Sequence, residues 1–374
     1  MNSSKSSIDQ FQKLYKDRAL IAEKWKQEKG KAFGYLYSHV PEELLHAAGI
    51  LPVQLLEAVG AIVKAHRHFP SFICYQVRGN LELVLSGNYD YLDGIVMAHS
   101  CDPLRKLFGV MKNNRKKEFY YFLPMPLKGG EDTWRYYREE LALFRNALEK
   151  YTGRRIKDEE IRSSMAIYNK NRSMVRELYR LRKVGPPAIS GSDILDVLKT
   201  GLVVPREVHN DLLEGLLQAL SRENRKGSDR KRRIFVSLIS LNDRPLMEII
   251  EELGGEVVLD DLAMGARYHW EPVSENGDPL EALSRRYVGL IPFAGRYPME
   301  TRAKTLVELC KDYQVAGAII KTERYCDPYL YELPLMEERF KESGIPVLSL
   351  DVEDIVAEAG RVRTRVQAFL ETLE

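Results

Sequence analysis

One construction occurs twice in this sequence: an apolar strand pattern, then Cys-Asp-Pro, then a helix. Leu92-Asp93-Gly94-Ile95-Val96-Met97-Ala98-His99-Ser100 leads into Cys101-Asp102-Pro103. Val315-Ala316-Gly317-Ala318-Ile319-Ile320 leads, through Lys321-Thr322-Glu323-Arg324-Tyr325, into Cys326-Asp327-Pro328. Strands that feed helices within a longer β/α alternation form mostly parallel sheets. Such sheets place ligands at the carboxyl ends of their strands, where both cysteines fall. Two copies in one chain imply a duplicated domain with the chemistry held between the copies.

The rest of the chain fits that frame. Residues 8–29 carry Phe11, Leu14, Tyr15 and Ile21-Ala22 at helical spacing and predict a helix on the body of the protein. Lys31–Tyr37, Leu51–Leu56, Tyr91–Ala98 and Glu118–Leu123 read as strands, with helices over Leu81–Leu85 and Pro103–Lys112 between them. Ser38-His39-Val40-Pro41-Glu42-Glu43 reads as a helix start, with an N-cap oxygen and acidic residues against the helix dipole. From Glu131 to about Lys183 the pattern is helical throughout. Ser221–Arg233 reads as an exposed charged connection. Arg233–Leu238, Glu256–Leu259, Val315–Ile320 and Pro346–Leu350 are the later strands. Helices are expected over Pro245–Leu253, Glu300–Tyr313, Tyr329–Glu342 and Ile355–Leu373. The expected fold is α/β: two duplicated Rossmann-like (flavodoxin-like) parallel-sheet domains, residues 1–129 and 229–374, joined by a helical segment over 130–228.

At 374 residues two or three domains are expected, and a hydrophobic fraction of 44% supplies ordinary cores. The 56 basic and 54 acidic residues nearly cancel, so the charge points neither to nucleic acid nor to a membrane surface. No apolar run approaches the roughly 20 residues of a membrane span. The polar N-terminus without an apolar signal core points to the cytoplasm. Four cysteines in such a chain suggest free, metal-bound or catalytic thiols rather than a disulfide framework.

Cys74, in Ser71-Phe72-Ile73-Cys74-Tyr75-Gln76, joins Cys101 and Cys326 as a third cysteine at a loop-to-helix junction. A helix N-terminus lowers a thiol pKa and favours the thiolate, a good soft-metal ligand. Three thiolates can hold three corners of a [4Fe-4S] cluster and leave one iron open. The spacings match no compact zinc or ferredoxin motif. On spacing alone, three buried free cysteines remain the alternative. Cys310 lies on the apolar side of a helix and reads as core.

The chain has no Gly-x-x-x-x-Gly-Lys-Ser/Thr, no Gly-x-Gly-x-x-Gly after a strand and no His-Glu-x-x-His. ATP hydrolysis through a P-loop, dinucleotide binding and a zincin site are therefore not expected. His66 and His68 read as solvated surface, with contact to a CoA phosphate as the sharper reading. Ser38 and His39 read as helix capping or as catalytic. Glu57, ending a strand, faces either a shared cleft or solvent.

The motifs together resemble the 2-hydroxyacyl-CoA dehydratase and benzoyl-CoA reductase family. The carriers are Pro41-Glu42-Glu43-Leu44-Leu45-His46-Ala47-Ala48-Gly49 followed by Pro52, the Cys74 segment, and His99-Ser100-Cys101-Asp102. Pro124-Met125-Pro126, Arg162-x-Ser164 with Tyr168-Asn169-x-Asn171-Arg172, and Tyr325-Cys326-Asp327-Pro328 complete them. The resemblance spans nearly the whole chain. It implies that Cys74, Cys101 and Cys326 bind a [4Fe-4S] cluster between two α/β domains, with Ser38 and Glu57 as catalytic candidates. It implies a homologous second subunit, an acyl-CoA substrate and a separate ATP-dependent iron-sulfur activator that injects one electron. In dehydratases of that kind the electron makes a ketyl radical on the thioester, whereas in the reductases it reduces an aromatic ring. A further branch of the family carries a fused double cluster in a homodimer and reduces small molecules; four cysteines, one of them core, count against that branch here. A two-domain small-molecule binding protein without a cluster, and a cluster-bearing scaffold without a substrate site, are the readings from other classes.

Overall fold

The apolar runs form two four-stranded sheets in which every pairing is parallel. A computed structural model describes residues 3–28, 30–222 and 232–373. The first sheet holds β1 (Lys31–Leu36), β2 (Ile50–Gln54), β3 (Gly94–Ala98) and β4 (Phe119–Leu123) in the order β2-β1-β3-β4. The second holds β5 (Arg232–Ser237), β6 (Gly255–Asp260), β7 (Gly317–Thr322) and β8 (Val347–Asp351) in the order β6-β5-β7-β8. The two orders are the same. In each, the chain reverses direction across the sheet between its first and third strands, and such a switch point opens a crevice at the strands' carboxyl ends.

The first half begins with α1 (Ser3–Lys16) and α2 (Arg18–Glu28), then places α3 (Glu42–Ala47), α4 (Tyr75–Leu85) and α5 (Asp102–Asn114) between its strands. The single helix expected over residues 8–29 is thus two, parted at Asp17. Four helices follow: α6 (Glu131–Thr152), α7 (Asp158–Arg180), α8 (Gly191–Gly201) and α9 (Arg206–Arg222). The uninterrupted helix expected from Glu131 to Lys183 breaks at Gly153, whose φ of 70° forms the left-handed C-cap of α6. The exposed connection expected over Ser221–Arg233 lies, for residues 223–231, outside the described residues. The second half carries α10 (Arg244–Glu252), α11 (Ala266–His269), α12 (Pro279–Gly289), α13 (Met299–Asp312), α14 (Asp327–Glu342) and α15 (Ala359–Glu371). Strand β7 begins two residues later than expected and ends at Thr322, which brings Lys321 and Thr322 into the sheet.

Packing is close inside the first sheet. The Phe33 and Phe119 rings stack with centroids 5.0 Å apart. Gly94 of β3 passes between them, and a Cβ there would stand 2.7 Å from Phe33 Cε1. Only hydrogen fits at that position.

The helices of the middle segment do more than link. α7 packs on α3, α9 and α11, α6 packs on α12, and α8 packs on α1, α10 and β6. They therefore seal one sheet against the other. The seal is ionic at its centre. Glu42 accepts hydrogen bonds from Tyr35 Oη at 2.7 Å, from Arg206 Nη2 at 2.7 Å and from Tyr268. Glu43 accepts from Arg172 and from Tyr287 Oη, the latter at 2.7 Å. The sequence pattern suggested an acidic first turn set against the helix dipole. Both glutamates are instead fully buried, and each pairs with an arginine from the middle helices. Burial raises the Glu43 pKa, but Arg172, Arg286 and two hydrogen bonds outweigh it and hold the carboxyl below its ordinary value.

Candidate active site

The carboxyl ends of the switch-point strands meet at one cavity of about 60 Å³. Tyr37, Ser38 and His39 follow β1, and Ser100 and Cys101 follow β3. From the second half come Ile239 after β5 and Cys326, Pro328 and Tyr329 after β7. Cys74 and Gln76 enter with α4, while Phe293 and Ala294 enter with the loop between α12 and α13. All three cysteines singled out by their loop-to-helix positions therefore line one cavity, although they are far apart in the chain.

Each cysteine is the N-cap of its helix: Cys74 of α4, Cys101 of α5 and Cys326 of α14. The backbone N–H three residues further on, of Val77, Leu104 and Tyr329 respectively, favours the thiolate in each case. The expected lowering of the thiol pKa values does not follow, because burial outweighs these amides. Burial, with Cys326 and Glu323 nearby, pushes Cys74 well up. Cys101 is pushed up to about 11 and Cys326 is raised as well, again mainly by burial. Without a metal the site favours three neutral thiols, and a metal must displace their protons to bind.

The donor set suits a soft metal group: three thiols among the apolar side chains of Val77, Leu104, Ile239, Ala263 and Ala294. Among the described residues no group of three His, Cys, Asp or Glu stands close enough to share a single metal ion. A mononuclear zinc site, with Zn–S near 2.3 Å, is therefore not formed. Three thiols on one apolar cavity are the donor chemistry that three corners of an iron-sulfur cluster call for. Cys310 is fully buried on α13, in the core of its own half and away from the cavity.

Ser38 and His39 are not caps. The N-cap of α3 is Pro41, with no side-chain cap bond. Ser38 is buried on the cavity wall, and its hydroxyl has no protein partner among the described residues. Tyr37, at φ 66°, turns the chain so that Ser38 faces the cavity region, and its hydroxyl donates to Gln76 Oε1. A bulky residue at positive φ is strained, by about 1–3 kcal/mol. Tyr325, immediately before Cys326, has φ 63° and marks the same device in the second half.

Glu57 is buried rather than solvated, but it does not line the cysteine cavity. It accepts from Ser240, and its carbonyl accepts from Asn242 Nδ2 at 3.0 Å. With Tyr75, Lys321, Glu323 and Asp243 it lines a second, smaller cavity. Burial raises its pKa. Beside it burial raises Glu323 to about 7, against the pull of Lys321, and Glu323 accepts from the Gln76 backbone N–H at 3.2 Å. His66 and His68 are exposed, away from either cavity.

Tyr37, Gln76 and the Phe293 loop were not legible as site residues in the sequence. Only the charge-free run Leu290-Ile291-Pro292-Phe293-Ala294-Gly295 hinted at a buried loop.

Known proteins resemble the chain along its whole length. Residues 37–373 match the family model of the 2-hydroxyglutaryl-CoA dehydratase D-component. A benzoyl-CoA reductase subunit of Thauera aromatica is 29% identical over 384 residues, covering 100% of this chain and 99% of that protein. The beta subunit of (R)-phenyllactyl-CoA dehydratase from Clostridium sporogenes is 28% identical, covering 98% of this chain and all of that protein. The beta subunit of (R)-2-hydroxyglutaryl-CoA dehydratase from Acidaminococcus fermentans is 27% identical, covering 98% of both. With the family model covering residues 37–373, and in them the second sheet, three strands of the first and all three cavity cysteines, the chain belongs to the 2-hydroxyglutaryl-CoA dehydratase D-component family.

Proposed function

We propose that this chain is the [4Fe-4S]-bearing subunit of an oxygen-sensitive acyl-CoA enzyme of the 2-hydroxyacyl-CoA dehydratase type. Cys74, Cys101 and Cys326 hold the cluster in this reading. The observation that carries it is that three helix-capping cysteines from both halves of the chain line one cavity. Held by these three thiolates, the cluster would supply a low-potential electron to the substrate thioester. A homologous second subunit and a separate ATP-dependent iron-sulfur activator complete the system. The relatives' names as subunits support the first, and the absence of a P-loop in this sequence fits the second.

The chain's own residues shape the rest. The apolar walls exclude water. Ser38 offers a hydroxyl that can donate one hydrogen bond and accept others. Glu57 holds the β2–α4 connection against Ser240 and Asn242 of the second half, a positioning role. A benzoyl-CoA reductase component is the second reading, favoured by the whole-length match to the Thauera aromatica protein.

Anaerobic purification and reconstitution test the cluster. The expected product is brown, with about four irons per chain and a broad absorption from thiolate-to-iron charge transfer. A colourless, iron-free chain after reconstitution would overturn the reading and favour a two-domain binding protein. Mixing the loaded protein with its partner subunit, the activator and ATP, then offering 2-hydroxyacyl-CoA or benzoyl-CoA, separates dehydratase from reductase.

Ser38→Ala separates a catalytic hydroxyl from a merely structural one. Turnover is expected to fall roughly a hundredfold, which corresponds to about 2.7 kcal/mol of transition-state stabilisation, with folding and iron content intact. Near-normal turnover at full iron would remove Ser38 from the chemistry.

A further inference from the structure

The wall of the cavity that carries His39 adjoins a surplus of buried positive charge. Arg296, in the loop that supplies Phe293 and Ala294, is 2% exposed. Among the described residues it makes no ion pair and its guanidinium donates no hydrogen bond, and Nη1 is sealed from solvent without an acceptor. Its backbone is held fast: its N–H donates to Phe293 O at 3.2 Å, and the next N–H, of Tyr297, donates to Leu127 O at 2.9 Å.

His39, 3% exposed, packs against Phe293 with the rings tilted by 60° and their centroids 4.8 Å apart, and its Nδ1 has no partner among the described residues. Ser100 Oγ, on the same cavity, is also unpartnered among them. Two further buried guanidiniums, Arg267 and Arg286, act on His39. Arg267 has Asp261 as its carboxylate, at 2.7 Å. Arg286 donates to the carbonyls of Tyr268 and Glu271 and, among the described residues, has no carboxylate within ion-pair reach.

A buried charge without a counter-ion is among the costliest features a fold can carry. Arg296 is far more costly unpaired than paired, and the nearby group on which its charge acts, His39, has an unpartnered ring nitrogen. We propose that Arg296, with His39, forms a binding site for one carboxylate group, supplied either by a small free acid or by the end of an acyl chain. A guanidinium fork matches a carboxylate in shape as well as charge. Burial and the three guanidiniums hold His39 neutral, so one ring nitrogen can donate to the bound group. The free-acid form needs nothing from the acyl-CoA reading, whereas the acyl-chain form rests on it.

Thermal unfolding of the purified protein tests the site. Sodium acetate and sodium glutarate are titrated against sodium chloride at equal ionic strength, with sodium phosphate as a separate arm. At about a hundred times the dissociation constant, a carboxylate should raise the wild-type midpoint by at least about 3 °C. Arg296→Met should lose that rise and be at least as stable as wild type in chloride, because the uncompensated charge is gone. Arg296→Lys keeps the charge without the fork, and should need at least about tenfold more carboxylate for the same rise.

Tighter binding of glutaryl-CoA than of butyryl-CoA, lost in Arg296→Met, assigns the carboxylate to an acyl chain. A response to free glutarate alone assigns it to a free acid. The proposal is overturned if wild type does not respond to any carboxylate, if phosphate matches carboxylate, or if Arg296→Met responds like wild type. An Arg296→Met chain that fails to fold while Arg296→Lys binds carboxylate unchanged would also overturn it, since Arg296 would then serve the fold alone.

Discussion

Replacing Cys74, Cys101 or Cys326 singly with serine should cut the iron of the reconstituted protein from about four atoms per chain to below about one, and turnover with it. Cys310→Ser should keep its iron and its colour, because Cys310 lies in the α13 core and not at the cavity. The four variants form an internally controlled set. All remove one thiol, but only three remove a cavity thiol. Iron analysis and the visible absorption of anaerobically prepared protein read the difference. Full iron in all three cavity variants would end the cluster assignment, while loss of iron in Cys310→Ser would show that any core change disrupts loading. Circular dichroism on the same samples tells a missing ligand from a missing fold.

Arg172→Met should be the most damaging substitution away from the cavity. It leaves Glu43, fully buried, without its ion-pair partner, and breaking such a pair costs about 3–5 kcal/mol. Adding Glu43→Gln to it should recover much of that loss, because the stranded charge is then gone as well. A double variant no more stable than Arg172→Met would show that packing around Tyr268 and Tyr287, and not charge, carries the effect.

The pH dependence has a definite sign. In wild type the Glu43 carboxyl lies below its ordinary value, so its contribution is present above the unfolded pKa of about 4.3 and is lost as pH falls through the folded value. Without Arg172, burial raises the folded value above the unfolded one, so protonation relieves the variant as pH falls from that raised value toward the unfolded pKa of about 4.3. The stability gap between the two should therefore narrow on acidification over that range. Chemical denaturation at a series of pH values measures it.

Much of the architecture can be read from the chain, because burial on both faces writes parallel strands as continuous apolar runs. Gly94–Ala98, buried throughout, is of that kind, and the two Cys-Asp-Pro motifs mark where the loops after β3 and β7 turn into helices. Legibility ends where local pattern and tertiary setting disagree. Ser38 sits in a sequence suited to capping, yet the helix starts four residues later because Tyr37 adopts a left-handed conformation. Glu42 and Glu43 read as first-turn charges set against the helix dipole, and their burial depends on arginines more than 120 residues away. α11 and α12 carry Tyr268 and Tyr287 into that same ionic layer, and their buried polar residues blur the helical period. The thiol pKa values went the other way from the helix-terminus argument, because sequence does not reveal how deeply a cap is buried. Arg296 gave no signal at all, since an arginine in a loop reads as surface.

The cavity draws Cys74 and Cys101 from the first sheet and Cys326 from the second, and this division sets an order in time. Cys326 follows Cys101 by 225 residues. At about 5–20 residues per second, a ribosome needs roughly 10 to 45 seconds to cover that interval. Throughout it, the first sheet can fold while the cavity still lacks the wall that β7 and α14 bring. A nascent chain therefore presents two thiols and no enclosure, and the complete pocket exists only once the C-terminal half has emerged and docked. Whatever fills this pocket is added after both halves have been made.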